Sequence, residues 1–155
     1  MKIRFICVDK TRSRYLAEGV ADYIGRIKRY AEVEQVVLKG AKPKDADADA
    51  VRERDAAKMV GALKPGDLYI HLDPDAPQMT STALAGWLKD RMETGTQSVA
   101  VGLPGPQGLG PQAARRADLR LSLSRMTLTH EMTRLVVAEQ VYRALRLAAG
   151  HPYHK

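Results

Sequence analysis

Residues 102–111 read GLPGPQGLGP, directly behind the apolar run SVAV. A glycine-rich loop in that position is where a bound phosphate is first sought, because glycine lets backbone N–H groups close on an anion. Here Pro104 and Pro106 remove two donors, the loop holds no lysine, and Gly102-x-x-Gly105-x-x-Gly108 differs from the G-x-G-x-x-G spacing. It makes a poor phosphate cradle. What remains is stiff backbone with carbonyl oxygens, which accept hydrogen bonds from an adenine amino group and sit well beside a positive sulfonium. Two readings stay open: a main-chain grip on an adenosine-type ligand, and a tight crossover in which glycine supplies positive φ and proline stiffness.

The remaining chemistry-bearing side chains are sparse. Cys7 is the sole cysteine, so neither an intrachain disulfide nor a cysteine-rich zinc site exists. The four histidines, His71, His130, His151 and His154, are scattered without paired carboxylates, and no metal site is expected. His71, inside LYIHLD, reads as a strand histidine satisfied by its neighbours. Trp87, at helical spacing from Leu84 and Leu88, reads as core, and Met126 and Met132 need no cofactor to explain them. Arg125, Arg134 and Lys155 are candidate phosphate contacts, with Arg115 and Arg116 weaker ones. Residues 115–155 carry eight basic and three acidic side chains, so +5 of the net charge of +7 lies there. A polyanion bound near this segment and a solvated basic helix explain that imbalance equally.

These residues need elements to position them. KIRFICV (2–8), VEQVVL (33–38), DLYIHLD (67–73), SVAVGL (98–103) and LRLSLS (119–124) read as strands. Between them, helical spacing predicts helices over about 11–30, 47–63, from the Thr80–Thr82 caps to Gly95, a short one over 111–117, and a long one over 129–149. KGAKPKDADADA (39–50) is a polar loop. Strands alternating with helices imply a parallel sheet covered on both faces, whose ligands sit off the carboxyl ends of the strands. HLDPDAP, GLPGPQGLGP and LSRMTLTH occupy three such ends and form the candidate site. On the last helix, Leu135, Ala138, Val141, Tyr142, Leu145 and Ala149 make a broad apolar face, expected to bury partly within the monomer and partly against a second subunit.

A chain of 155 residues with 45% apolar and 28% charged side chains suits one globular domain. No apolar run reaches the length of a membrane span, and MKIRFICVDK lacks a signal-peptide pattern. A cytoplasmic protein is expected.

The segment LSLSRMTLTHEMTRLVVAEQVYRALRLAAGHPYHK (121–155) closely resembles the end of the ribosomal RNA large-subunit methyltransferase H family. These are small SPOUT-class enzymes that methylate N3 of a pseudouridine in 23S ribosomal RNA. The likeness runs through residues 1–155 as a single domain and is most specific in LSLSRMT, RLVVAEQVYRA and the tail HPYHK. It implies an α/β fold in which a parallel sheet flanked by helices is tied in a C-terminal deep trefoil knot, an exception to unknotted topology. Knot and cofactor site would fall within about 98–150. The resemblance also implies a homodimer acting on the ribosome or its large subunit, without membrane or metal. The cofactor S-adenosyl-L-methionine would be held by Leu72, Gly105, Ser122, Leu123, Ser124, Arg125, Met126 and Thr127.

Methylating a pseudouridine N3 requires its proton to leave, so a base or a water path is needed. In the matching tail His154 and Tyr153 are the candidates, with His151 behind them. The tail is also readable as a docking segment with Tyr153 as an interface aromatic. His130, at the head of the long helix, has a structural role in fixing the loop or an RNA contact. The chain departs from the family pattern at four places. Pro104 stands for the loop's first glycine, Ala76-Pro77 for a Gly-Lys pair, Asp9 for a glycine and Thr129 for a proline. These departures motivate an alternative expectation: a SPOUT-fold RNA-binding relative with weakened or lost cofactor use.

Overall fold

The computed structural model describes residues 1–42 and 47–151. Five strands, β1 (Lys2–Val8), β2 (Glu32–Leu38), β3 (Asp67–Leu72), β4 (Ser98–Leu103) and β5 (Leu119–Leu121), form one sheet in the order β2-β1-β4-β3-β5. Every pairing is parallel, with Ile3 beside both Val33 and Val99, and Ile70 beside both Val101 and Leu119. Parallel neighbours need crossovers, and the five helices supply them: α1 (Arg14–Ile27), α2 (Ala48–Gly61), α3 (Ser81–Glu93), α4 (Pro111–Arg116) and α5 (His130–Ala148).

Strand side chains alternate between two cores, as burial on both faces of a parallel sheet requires. Ile3, Phe5, Val99, Val101, Leu103 and Leu72 point to α1, α3 and α5, where Ile24, Ile27, Leu84, Leu88, Val141 and Leu145 meet them. Ile6, Val8, Tyr69 and Ala100 point the other way, against Ala56 and Met59 of α2 and Ala113 of α4. α5 packs between α1 and α3. Its residues Ala138, Val141, Tyr142 and Leu145 are therefore buried within the monomer, while Leu135 is half-buried and Ala149 exposed. Little of the expected apolar face is left over for a second subunit.

The helix ends follow local chemistry. Thr80 caps α3 by accepting the Ala83 N–H at 3.1 Å, and Thr129 caps α5 by accepting the Met132 N–H at 3.2 Å. Pro111 opens α4, where its missing N–H costs nothing. α1 is shorter than its apolar spacing predicts because residues 9–13 are held as a loop by α5. β5 is also shorter, ending at Leu121 instead of Ser124. The Ser122 N–H donates to the Pro77 carbonyl at 3.1 Å, and the Ser122 hydroxyl to the Ser124 carbonyl at 3.1 Å, which turns the chain off the sheet. At the amino ends of the strands, the buried Arg4–Asp67 ion pair and the Lys64 N–H to Asp67 bond of 2.8 Å lock the sheet. Among the described residues, no helix is long and apolar enough to cross a membrane, and no group of three or more His, Cys, Asp or Glu residues is placed to hold a metal.

Candidate functional site

β4, β3 and β5 are adjacent in the sheet, so the loops leaving their carboxyl ends converge. They enclose a cleft of about 300 Å³ whose wall includes Leu72, Asp73, Pro104, Gly105, Leu121, Ser122, Met126 and His130. A parallel sheet places ligands in this position.

The β3 end is built by Asp73. Its N–H donates to the Leu121 carbonyl at 3.1 Å, and its carboxylate accepts the Asp75 N–H at 2.9 Å and Arg120 at 2.5 Å. The Ala76 N–H closes a turn onto the Asp73 carbonyl at 3.1 Å. Ala76 is buried inside this turn. Burial opposes ionisation of Asp73, yet the bonds from Arg120 and the Asp75 N–H outweigh it and hold the carboxyl below its ordinary value.

The β4 end is the glycine–proline loop. The Gly108 N–H donates to the Gly105 carbonyl at 3.1 Å across Pro106 and Gln107, and Gly108 takes φ +78°. The Gly105 carbonyl thus accepts one bond inside the turn. The other glycines answer to packing. A Cβ on Gly102 would stand 2.6 Å from the Tyr69 hydroxyl, one on Gly105 3.2 Å from Val8, and one on Gly110 2.8 Å from the Glu53 carboxyl carbon. Their bareness lets the sheet and α2 approach closely and does not by itself indicate a ligand.

The β5 end carries LSRMT. The Met126 N–H donates to the Ser124 hydroxyl at 2.9 Å, which holds Met126 out at the rim with 79% of its surface exposed. The start of α5 closes the cleft through His130 and Thr133. Burial, and then the nearby Arg134 cation, push the His130 imidazole below its ordinary value.

Of the expected cofactor residues, Leu72, Gly105, Ser122, Leu123, Ser124, Met126 and Thr127 all line this one cleft. Arg125 does not line it and is exposed beside it. Tyr153, His154 and Lys155 lie outside the described residues, and His151 stacks edge-on near Tyr30 at 6.3 Å. Arg115 and Arg116 sit on α4, with Arg116 paired to Asp118 at 2.9 Å. Trp87 is half-buried against the core under Arg91. His71 is buried, with Nδ1 3.1 Å from the Tyr69 hydroxyl, and burial lowers its pKa. It is a satisfied strand histidine.

Arg134 requires a correction. It was expected at an RNA phosphate, but it is only 2% exposed. Its guanidinium donates to the Val8 carbonyl at 2.5 Å, the Asp9 carbonyl at 3.1 Å and the Thr11 hydroxyl at 3.0 Å. Arg134 ties α5 to the end of β1. Glu131 completes the clasp, its carboxylate accepting the Arg12 N–H at 2.7 Å and the Ser13 N–H at 3.1 Å. Sequence reasoning missed this clasp, and it also missed Asp73 and Thr133 on the cleft wall. The one available signal was the acidic residue behind the Thr129 cap.

Comparison with known proteins agrees with this architecture. A family model described as a predicted SPOUT methyltransferase matches residues 1–154. The chain is 37% identical over 155 residues to a ribosomal RNA large subunit methyltransferase H of Gemmatimonas aurantiaca, covering all of both chains. It is 36% identical over 154 residues to the protein of that name from a Geobacter species, covering 99% of each. It is 36% identical over 159 residues to a putative one from Methanocorpusculum labreanum, again covering both chains fully. With a family model spanning nearly the whole chain and full-length relatives above a third identical, this chain belongs to the SPOUT methyltransferases, in the ribosomal RNA large subunit methyltransferase H family.

Proposed function

We propose that the chain transfers a methyl group from S-adenosylmethionine to N3 of a pseudouridine in 23S ribosomal RNA, within the ribosome or its large subunit. The observation that carries this reading is the single cleft that gathers seven of the residues expected at the cofactor, Leu72, Gly105, Ser122, Leu123, Ser124, Met126 and Thr127. Its size, about 300 Å³, is at the lower end for a small-molecule site. Leu72, Leu121, Leu123 and Leu128 give it apolar walls; among the described residues, no lysine or arginine lines it and its one carboxylate is Asp73. Those walls fit an adenosine carrying a positive sulfur and disfavour a polyphosphate.

When bound, S-adenosylmethionine supplies an electrophilic methyl group. The chain's own part is to hold the reactants in line, which contributes about 7–11 kcal/mol where attack geometry is achieved. The N3 proton must also leave. His154 and Tyr153 of the tail are the proposed acceptors, and His130, on the cleft wall, is placed to fix the loop. Arg125 and Lys155 are the proposed phosphate contacts. Family membership supports a trefoil knot within about residues 98–150, a homodimer and a cytoplasmic site of action.

One observation favours a second reading, a SPOUT-fold RNA-binding protein with weakened cofactor use. Pro104 forms part of the cleft wall with φ fixed by its ring, where the family's glycine is free. Calorimetric titration with S-adenosylmethionine and its demethylated product separates the two. One ligand per protomer or per dimer supports the methyltransferase, and no heat at millimolar ligand supports the second reading.

A further inference from the structure

The residues between β1 and the first turn of α1 read Asp9-Lys10-Thr11-Arg12-Ser13-Arg14-Tyr15. Their inward-facing groups are taken up by α5 and the next loop. Arg134 holds the carbonyls of Val8 and Asp9 and the Thr11 hydroxyl, and Glu131 holds the N–H groups of Arg12 and Ser13. The Asp9 carboxylate accepts the Gly40 N–H at 2.9 Å. What the segment presents outward is three cations and an aromatic ring. Lys10, Arg12 and Arg14 are exposed, and Tyr15 is 69% exposed. Lys10 and Arg12 meet no carboxylate among the described residues. Among the described residues Arg14 pairs with Glu18 alone, through a side chain 92% exposed, a contact of little energetic weight.

This segment is joined to the cleft. Glu131 and Arg134, which hold it, share the first turn of α5 with His130 and Thr133, which line the cleft. Asp9 and Glu131 are bonded to the backbone N–H groups of Gly40, Arg12 and Ser13, which leaves the Lys10 and Arg12 side chains without a carboxylate partner among the described residues. Alternating cations with an adjoining exposed tyrosine, on a loop whose backbone is pinned, match what a folded RNA needs: charge for phosphates and a flat face for an unstacked base.

We propose that Lys10, Arg12, Arg14 and Tyr15 form an RNA-docking edge that seats the ribosomal RNA beside the cleft. The inference rests on the methyltransferase reading above and adds a recognition surface to it. With this edge, the substrate contacts lie on a loop braced by the helix that also lines the cleft.

The test uses the full-length protein and purified large ribosomal subunits, with binding measured across a salt series. The triple variant Lys10→Gln/Arg12→Gln/Arg14→Gln is compared with the charge-preserving Lys10→Arg/Arg12→Lys/Arg14→Lys, and Tyr15→Ala with Tyr15→Phe. Neutralisation is expected to weaken binding at least tenfold and to lower the salt slope by roughly 2–3, since each phosphate contact contributes about 0.7–0.9. The charge-preserving variant and Tyr15→Phe should bind as wild type. S-adenosylmethionine titration of the triple variant should match wild type, showing the fold and cleft intact. Unchanged affinity and slope overturn the proposal, as does a triple variant that loses binding only because its sedimentation shows an altered oligomer, which would make the edge a subunit contact. A wild type that methylates subunits while the triple variant does so equally well removes the docking edge alone. A wild type that binds neither S-adenosylmethionine nor subunits removes the methyltransferase reading, and the edge with it.

Discussion

Arg134 donates to the carbonyl of Asp9 at 3.1 Å, and Asp9 is the one non-glycine residue among those described with left-handed backbone, φ 61°. An aspartate tolerates that region better than most residues because its short side chain can bond locally, here to the Gly40 N–H. The buried arginine holds the carbonyl on the other side. Replacing Arg134 with methionine keeps most of the volume but strips the Val8 and Asp9 carbonyls of their donor in a buried position. The loss should be about 3–5 kcal/mol in urea unfolding, from several charge-assisted bonds and the desolvated groups left behind. Asp9→Gly should fall within about 1 kcal/mol of wild type, since relief of the backbone offsets the lost bond. A β-branched Asp9→Val should cost more than Asp9→Gly.

Two glycine substitutions should move stability in opposite directions. A methyl on Gly102 meets the Tyr69 ring, which is fully buried and hydrogen-bonded to His71. Gly102→Ala should cost about 1–3 kcal/mol as an overpacking change. A methyl on Gly86, inside α3, meets nothing within 4 Å. Gly86→Ala should stabilise by roughly 0.5–1 kcal/mol through helix propensity and unfolded-state entropy. Thermal or urea midpoints of the two variants check the pair.

How stability varies with pH follows from His71 and His130. Burial lowers the pKa of both below the ordinary 6.5, with Arg134 adding to the effect at His130. The unfolded chain therefore binds protons more readily than the folded one. This contribution is complete above about pH 6.5 and is lost as pH falls from there through the folded values. Unfolding free energy should decline as pH falls below 6.5, and His71→Gln should flatten that decline. An equal slope in the variant would mean that His71 takes no part.

The cap on α5 is the fourth test. The Thr129 hydroxyl accepts the Met132 N–H at 3.2 Å. Thr129→Ala should cost about 1 kcal/mol and Thr129→Ser a few tenths. Urea unfolding distinguishes them.

Much of this fold was legible in local pattern. β4 spans Ser98–Leu103 as its apolar run predicts, and α3 starts behind Thr80 because a threonine before a helical run satisfies an orphan N–H. β5 was misjudged in length because LSLS alternates like a strand, while its last three residues are turned aside by long-range bonds to Pro77 and by a local serine turn. Arg134 was misread for a related reason. Charge alone places an arginine at the surface, and only the tertiary fold brings three backbone and hydroxyl acceptors around it. The glycines of the 102–111 loop could be seen but not interpreted, because the Tyr69, Val8 and Glu53 side chains that exclude a Cβ come from other elements.

Methyl transfer to a pseudouridine N3 is tested most directly by nucleoside mass spectrometry. Large ribosomal subunits lacking the modification would be incubated with the purified protein and isotope-labelled S-adenosylmethionine, and the 23S RNA digested to nucleosides. The proposed chemistry predicts one labelled methyl on a pseudouridine, located at N3, with loss of the label when Leu72 and Ser122 of the cleft are replaced together. Label on another base, or none under conditions where the protein binds the subunit, would contradict it.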